Sequence, residues 1–107
     1  MDHIQINNVI IVGDVSVDLR QRVVSVSDQV VHLTRKEFDM LSFLARYPGW
    51  AFTKDQLLDA AWGTAVDANY HAVETMIYWI RRKIRTSRNV RIQTLVGYGY
   101  KLIIEEK

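Results

Sequence analysis

A chain of 107 residues has the length for one ordinary domain around one core and none to spare for a second. It is 49% hydrophobic and 24% charged, with one Pro, five Gly and no Cys, which excludes a disordered tail, a disulfide scaffold, thiolate metal sites and cysteine nucleophiles. No apolar run approaches a membrane span and the N-terminal stretch lacks the pattern of a signal peptide, so a cytoplasmic protein with no membrane partner is expected.

Between residues 4 and 33 the chain runs in short β-branched stretches, VIIV, VSVDL, RVVSV and VVHL, broken at Gly13-Asp14, Arg20-Gln21 and Ser27-Asp28. Val15, Val17 and Leu19 share one face of a strand, and Val24 and Val26 one face of another, which predicts an antiparallel β-meander with a face to bury. At Thr34 the apolar period changes from two to about 3.6. Thr34-Arg35-Lys36-Glu37 has the form of a capping box and opens a helix over about 34–47, apolar at Phe38, Leu41, Phe43, Leu44 and Ala45 and stopped by Pro48-Gly49. Thr53-Lys54-Asp55-Gln56 repeats the box ahead of a second helix over about 54–62, which Gly63 ends. Trp50 and Trp62 are expected as partly buried anchors around that helix. A loop over 64–68 leads to a third helix over about 69–86, whose inward stripe is Val73, Ile77, Ile80 and Ile84. Two strands over about 91–104, joined through Gly97-Tyr98-Gly99, complete an α+β order of strands, three helices and a hairpin.

The net charge of +2 conceals an asymmetry: residues 1–74 hold six Lys/Arg against ten Asp/Glu, residues 75–107 eight against two. From Thr75 to Ile104 there are seven cations and no carboxylate. A basic helix running into a glycine-tipped ribbon suits a polyanion, with the helix in a groove of double-stranded DNA and the ribbon on neighbouring phosphates. On the third helix the side away from the inward stripe carries His71, Thr75, Tyr78, Trp79 and Arg82, flanked by Arg81 and Arg85. His3, His32 and His71 are scattered and lack a carboxylate or thiolate at ligand spacing, so no metal and no cofactor is expected. No nucleophile motif, phosphate-binding loop or paired carboxylate arrangement points to catalysis.

Several short motifs in fixed order resemble one family. They are Leu33-Thr34-x-x-Glu37-Phe38-x-x-Leu41, Pro48-Gly49, Gln56-Leu57-Leu58, Trp62-Gly63, Val73-Glu74 with Ile77, Ile80-Arg81-x-Lys83-Ile84, and Thr94-x-x-Gly97-x-Gly99-Tyr100. Together they resemble the winged helix-turn-helix DNA-binding effector domain of OmpR/PhoB-type response regulators, over essentially the whole chain from Val15 onward, read as a single domain over 1–107. The resemblance implies a recognition helix in the major groove and a C-terminal hairpin wing on the backbone or minor groove. It also implies tandem head-to-tail binding of two copies to direct-repeat DNA, an RNA polymerase contact in the loop holding Gly63, Thr64, Val66, Asp67 and Asn69, and, if the domain belongs to a longer regulator, a receiver domain served by a histidine kinase. The chain departs from the family's usual residues at Trp79 and Val96, where arginine is common, at Met76, where histidine is common, and at His71, where arginine is common.

The sequence leaves two readings of the third helix open. In the first it reads DNA, with contacts from His71, Thr75, Tyr78, Trp79, Arg81, Arg82 and Arg85 and hydroxyl contacts to phosphate from Thr94 and Tyr100 on the wing. In the second the Tyr78-Trp79 pair turns it toward a protein partner. Tyr100 equally suits the core, with its hydroxyl at the rim. Trp79 has one donor and no bidentate fork, so in the groove it favours apolar or shape readout over guanine. Glu74 is expected to pair with a nearby arginine or a backbone N–H.

Overall fold

The computed structural model describes residues 3–63 and 69–105. Its first five strands, β1 (His3–Ile6), β2 (Val9–Val12), β3 (Val15–Asp18), β4 (Val23–Val26) and β5 (Gln29–Val31), form an antiparallel sheet in chain order. Tight turns set that order. Asn7-Asn8 and Ser27-Asp28 have positive φ at both residues, as two-residue hairpin turns demand. The register aligns Ile10, Val17, Val24 and Val31 across one face, and Ile10, Val17 and Val24 are buried.

Helix α1 (Arg35–Arg46) begins at a complete capping box: Glu37 N–H donates to Thr34 Oγ1 at 3.2 Å and Thr34 N–H to Glu37 Oε1 at 2.9 Å. A two-residue strand β6 (Phe52–Thr53) passes directly into α2 (Lys54–Trp62), whose Thr53–Gln56 box is also complete and whose C-cap is Gly63 at φ 60°. The Asn69 side chain caps α3 (Tyr70–Lys83), accepting from Ala72 N–H at 2.9 Å. Strands β7 (Val90–Leu95) and β8 (Gly99–Ile104) form a hairpin, and β6 joins β8 to make a second sheet. Gly99 is where β6 and β8 meet, and an added Cβ would lie 1.9 Å from the Phe52 carbonyl oxygen.

Met40, Leu41 and Leu44 of α1, Leu57 of α2, Ile77 and Ile80 of α3 and Leu102 of β8 are fully buried in one cluster with the inner face of the five-stranded sheet. The recognition-type pair α2–α3 and the β7–β8 hairpin therefore rest on a common core.

Three details differ from the reading of the sequence. Strand β1 and its Asn7-Asn8 turn make the meander one strand longer, and that pair of asparagines is the signal for it. Helix α3 stops at Lys83, because Ile84 leaves the helix at φ −103° and ψ 13° to bury its side chain, so Arg85 lies in the turn beyond. Trp50 is 63% exposed, stacked on Phe52 at the edge of a cluster with Phe43 and Tyr47, whereas Trp62 is half-buried against the core as expected.

Candidate nucleic-acid interface

Burying Val73, Ile77 and Ile80 fixes the roll of α3 and turns the opposite side outward. His71 and Thr75 are exposed on that side, with Tyr78 and Trp79 about half exposed. The two rings meet edge to face, centroids 5.2 Å apart. The Arg82 guanidinium lies 5.8 Å from the Tyr78 centroid and 5.9 Å from that of Trp79. No hydrogen-bond acceptor among the described residues claims Arg82, which lies over these two rings and borders the cleft toward β5.

The other two arginines differ from it. Arg81 turns toward the hairpin, its Nε and Nη2 donating to Ile92 O at 3.1 and 2.6 Å and Nη2 also to Thr94 Oγ1 at 2.7 Å. It also covers the Tyr100 ring at 5.7 Å. Arg81 thus fastens α3 to β7, Thr94 is one of its acceptors, and Tyr100, 6% exposed, is the floor beneath it. From the sequence all three are expected among the DNA contacts. The structure puts Arg81 and Tyr100 into the joint between helix and hairpin, because the guanidinium finds two acceptors within the fold. Arg85, exposed in the turn after α3, borders the clefts on both sides of the helix end.

Acids on this side are few and occupied. Glu74 accepts from Lys54 Nζ at 2.8 Å and lies 3.8 Å from His71 Nδ1, so its partner is a lysine of α2 in place of the expected arginine or backbone N–H. That bond and the lysine's charge hold the Glu74 carboxyl below its ordinary value. Glu37, with a side chain only 7% exposed, takes Lys83 Nζ at 2.6 Å in addition to closing the α1 capping box, so Lys83 is held against α1. Nothing in local spacing signals these cross-element pairs, since Lys54 with Glu74 and Glu37 with Lys83 are brought together only by the packing of the helices.

At the hairpin tip Val96 is 97% exposed and Tyr98 about half exposed, with Tyr98 N–H closing the turn onto Leu95 O. Arg91 is engaged at the hairpin base, donating to Ser87 O and Val90 O. Of the loop before α3, Gly63 and Asn69 serve as the cap residues of α2 and α3, while Thr64, Val66 and Asp67 lie outside the described residues. Among the described residues no group of three or more His, Cys, Asp or Glu is placed to hold a metal ion, and no helix is long and apolar enough to cross a membrane.

The sequence model for the C-terminal domain of transcriptional regulatory proteins matches residues 28–102. The chain belongs to that family. It is 36% identical over 93 residues to the transcriptional regulatory protein VxrB of Vibrio cholerae, covering 87% of this chain and 37% of that protein. It is 35% identical over 92 residues to the sensory transduction protein RegX3 of Mycobacterium tuberculosis, covering 84% and 40%. The chain thus spans about two fifths of the length of these curated relatives. The response regulator DrrB of Thermotoga maritima, an OmpR/PhoB homolog, superposes with a TM-score of 0.77 at 30% identity over 92% of this chain and 45% of that one. The RstA DNA-binding domain of Klebsiella pneumoniae, solved in complex with the RstA box, gives 0.74 at 27% over 96% and 98%. The DNA-binding domain of CpxR from E. coli, at 24% identity, shows the same fold with a TM-score of 0.80 over 92% and 98%. This is an OmpR/PhoB-type winged helix-turn-helix effector domain of transcription regulation, with α3 as its recognition helix and β7–β8 as its wing. The protein-partner alternative for α3 is not favoured by these likenesses.

Proposed function

We propose that this effector domain binds double-stranded DNA with the outward side of α3 in the major groove and the wing on the backbone or minor groove. The observation that carries the reading is the outward side itself: His71, Thr75, Tyr78 and Arg82 stand clear of the core on a helix that Arg81 locks to the wing. Arg85 and Thr94 supply phosphate contacts at its flank, and Trp79 borders the strand-side wall. Arg81 and Tyr100 act on DNA through the positions they impose. The work is binding and regulation without catalysis, in the cytoplasm.

Two copies bind direct repeats head to tail, and the loop from Gly63 to Asn69 meets RNA polymerase. The family's C-terminal domain accounts for about two fifths of the matched relatives, so the remaining length fits a receiver domain addressed by a histidine kinase. Fluorescence anisotropy against mixed-sequence DNA at two salt concentrations tests the central statement. Affinity should fall steeply with salt, as release of counterions requires. Binding that is absent at low salt, or insensitive to salt, would overturn it.

A further inference from the structure

We infer that Arg82 is the residue with which this domain selects a base, a guanine in the major groove, and that Tyr78 and Trp79 are its positioning residues. The inference rests on the DNA-binding reading above and adds to it which side chain discriminates. Of the arginines at the end of α3, Arg81 is spent on Ile92 O and Thr94 Oγ1, and Arg85 lies past the helix end at a flank. Arg82 alone of these stands on α3 directly away from the buried Val73, Ile77 and Ile80, with its donors unclaimed among the described residues.

A lone exposed arginine is a poor reader, because its many rotamers must be frozen for a directed contact. Here residues three and four positions earlier on the same helix supply the restraint. The Arg82 side chain leans back toward the helix N-terminus over these i−3 and i−4 neighbours, and their mutual edge-to-face packing keeps the two ring surfaces in place. These cation–π contacts engage the charge of the guanidinium and take none of its N–H groups as hydrogen-bond donors, so its in-plane edges stay free. A planar fork with free edges matches O6 and N7 of guanine with two parallel N–H groups, where a lysine would bring a flexible point charge with no fixed fork. Trp79 brings no fork of its own, so its place in this helix is explained by the arginine it holds. Trp79 and Arg82 both border the open cleft toward Val30 and Val31 of β5, so the pair stands together at the strand-side edge of α3.

The test begins with selection of binding sites from random DNA by the unaltered domain. Anisotropy then compares Arg82→Lys, Arg82→Ala, Tyr78→Ala/Trp79→Ala and Tyr78→Phe/Trp79→Phe on the selected site, on the same site with each guanine replaced, and on mixed DNA. One guanine should govern affinity by about tenfold or more, the lower range of a good bidentate contact. Arg82→Ala should erase that preference, and Arg82→Lys should reduce it without removing it, since an ammonium still reaches the guanine edge but lacks the fixed fork. The double alanine variant should weaken the preference, and the double phenylalanine variant should keep most of it, which separates positioning from general folding. An equal loss on all DNAs for Arg82→Ala, or a guanine preference that survives Arg82→Ala, would overturn the inference and leave DNA binding standing. Failure of the unaltered domain to bind any DNA would overturn both.

Discussion

At residue scale the protein divides its cations between holding itself together and reaching outward, and the division follows from where acceptors lie. Arg81 joins two elements through a carbonyl and a hydroxyl. Arg81→Ala should lower stability by about 1–3 kcal/mol, because Ile92 O loses a charged donor and the wing loses its tie to α3. Urea unfolding measures this, and Arg81→Lys should recover only part of it, since an ammonium cannot serve both acceptors in one plane. Unchanged stability, with a salt slope on DNA lower by about one, would instead place Arg81 on phosphate. Gly99 is the other position where a single atom decides the outcome. The Cβ of Gly99→Ala would strike the Phe52 carbonyl at 1.9 Å, and backbone cannot swing aside as a side-chain tip does. That variant should lose the β6–β8 pairing and with it the wing's anchorage, seen as a fall in melting temperature and lost amide protection at Phe52. The motif Gly97-x-Gly99 was legible in the sequence as a turn. Only Gly97, at φ 76°, is needed for the turn itself, and the need for Gly99 arises from a strand far away in the chain.

At the scale of elements, local signals were readable and the couplings between elements were not. Both Thr capping boxes, Gly63, Asn69 and the stripe of Val73, Ile77 and Ile80 place helix ends and faces, because each is a contact between residues three or four apart. The joint between sheet and wing depends on Asp14, which spacing does not announce. Its carboxylate, on a side chain 8% exposed, accepts from Ser27 Oγ, Ser87 Oγ and Arg88 N–H, so the β2–β3 turn, the β4–β5 turn and the segment between α3 and β7 meet at one group. Burial opposes its charge, but the hydrogen bonds together outweigh it and hold its pKa below the ordinary 3.8. A carboxyl that is a stronger acid when folded stabilises the fold fully above its unfolded value, and that contribution is lost as pH falls through the lower folded value. Asp14→Asn should therefore be less stable than the unaltered domain at pH 7, by about 1–3 kcal/mol, with the gap closing as both are taken toward about pH 2. Chemical denaturation at several pH values checks the sign. A gap that stays constant from neutral to acid would show that Asp14 contributes by shape and not by charge.

The whole molecule measures 36 × 31 × 22 Å, and its longest dimension is close to the rise of about 34–36 Å that separates direct half-sites one DNA turn apart. In the proposed head-to-tail arrangement, with that dimension along the duplex, each copy would occupy one turn on the same side of the DNA. Most of the positive charge is in residues 75–107, eight cations against two acids, so the pull toward DNA belongs to the end that carries α3 and the wing. Such a domain has little reason to pair before it meets DNA, and light scattering should report a monomer at concentrations where DNA is absent. On a single half-site it should bind weakly, and on a direct repeat the second copy should bind more tightly through its neighbour. Spacing tests the geometry behind that gain. Inserting about five base pairs between half-sites turns one copy to the opposite face of the duplex and should abolish the cooperative increment, whereas removing one half-site should leave the single-site affinity unchanged. Cooperativity that survived a half-turn insertion would mean that the copies are held together by something other than contact between neighbours on one face, and a stable dimer in the absence of DNA would identify what holds them.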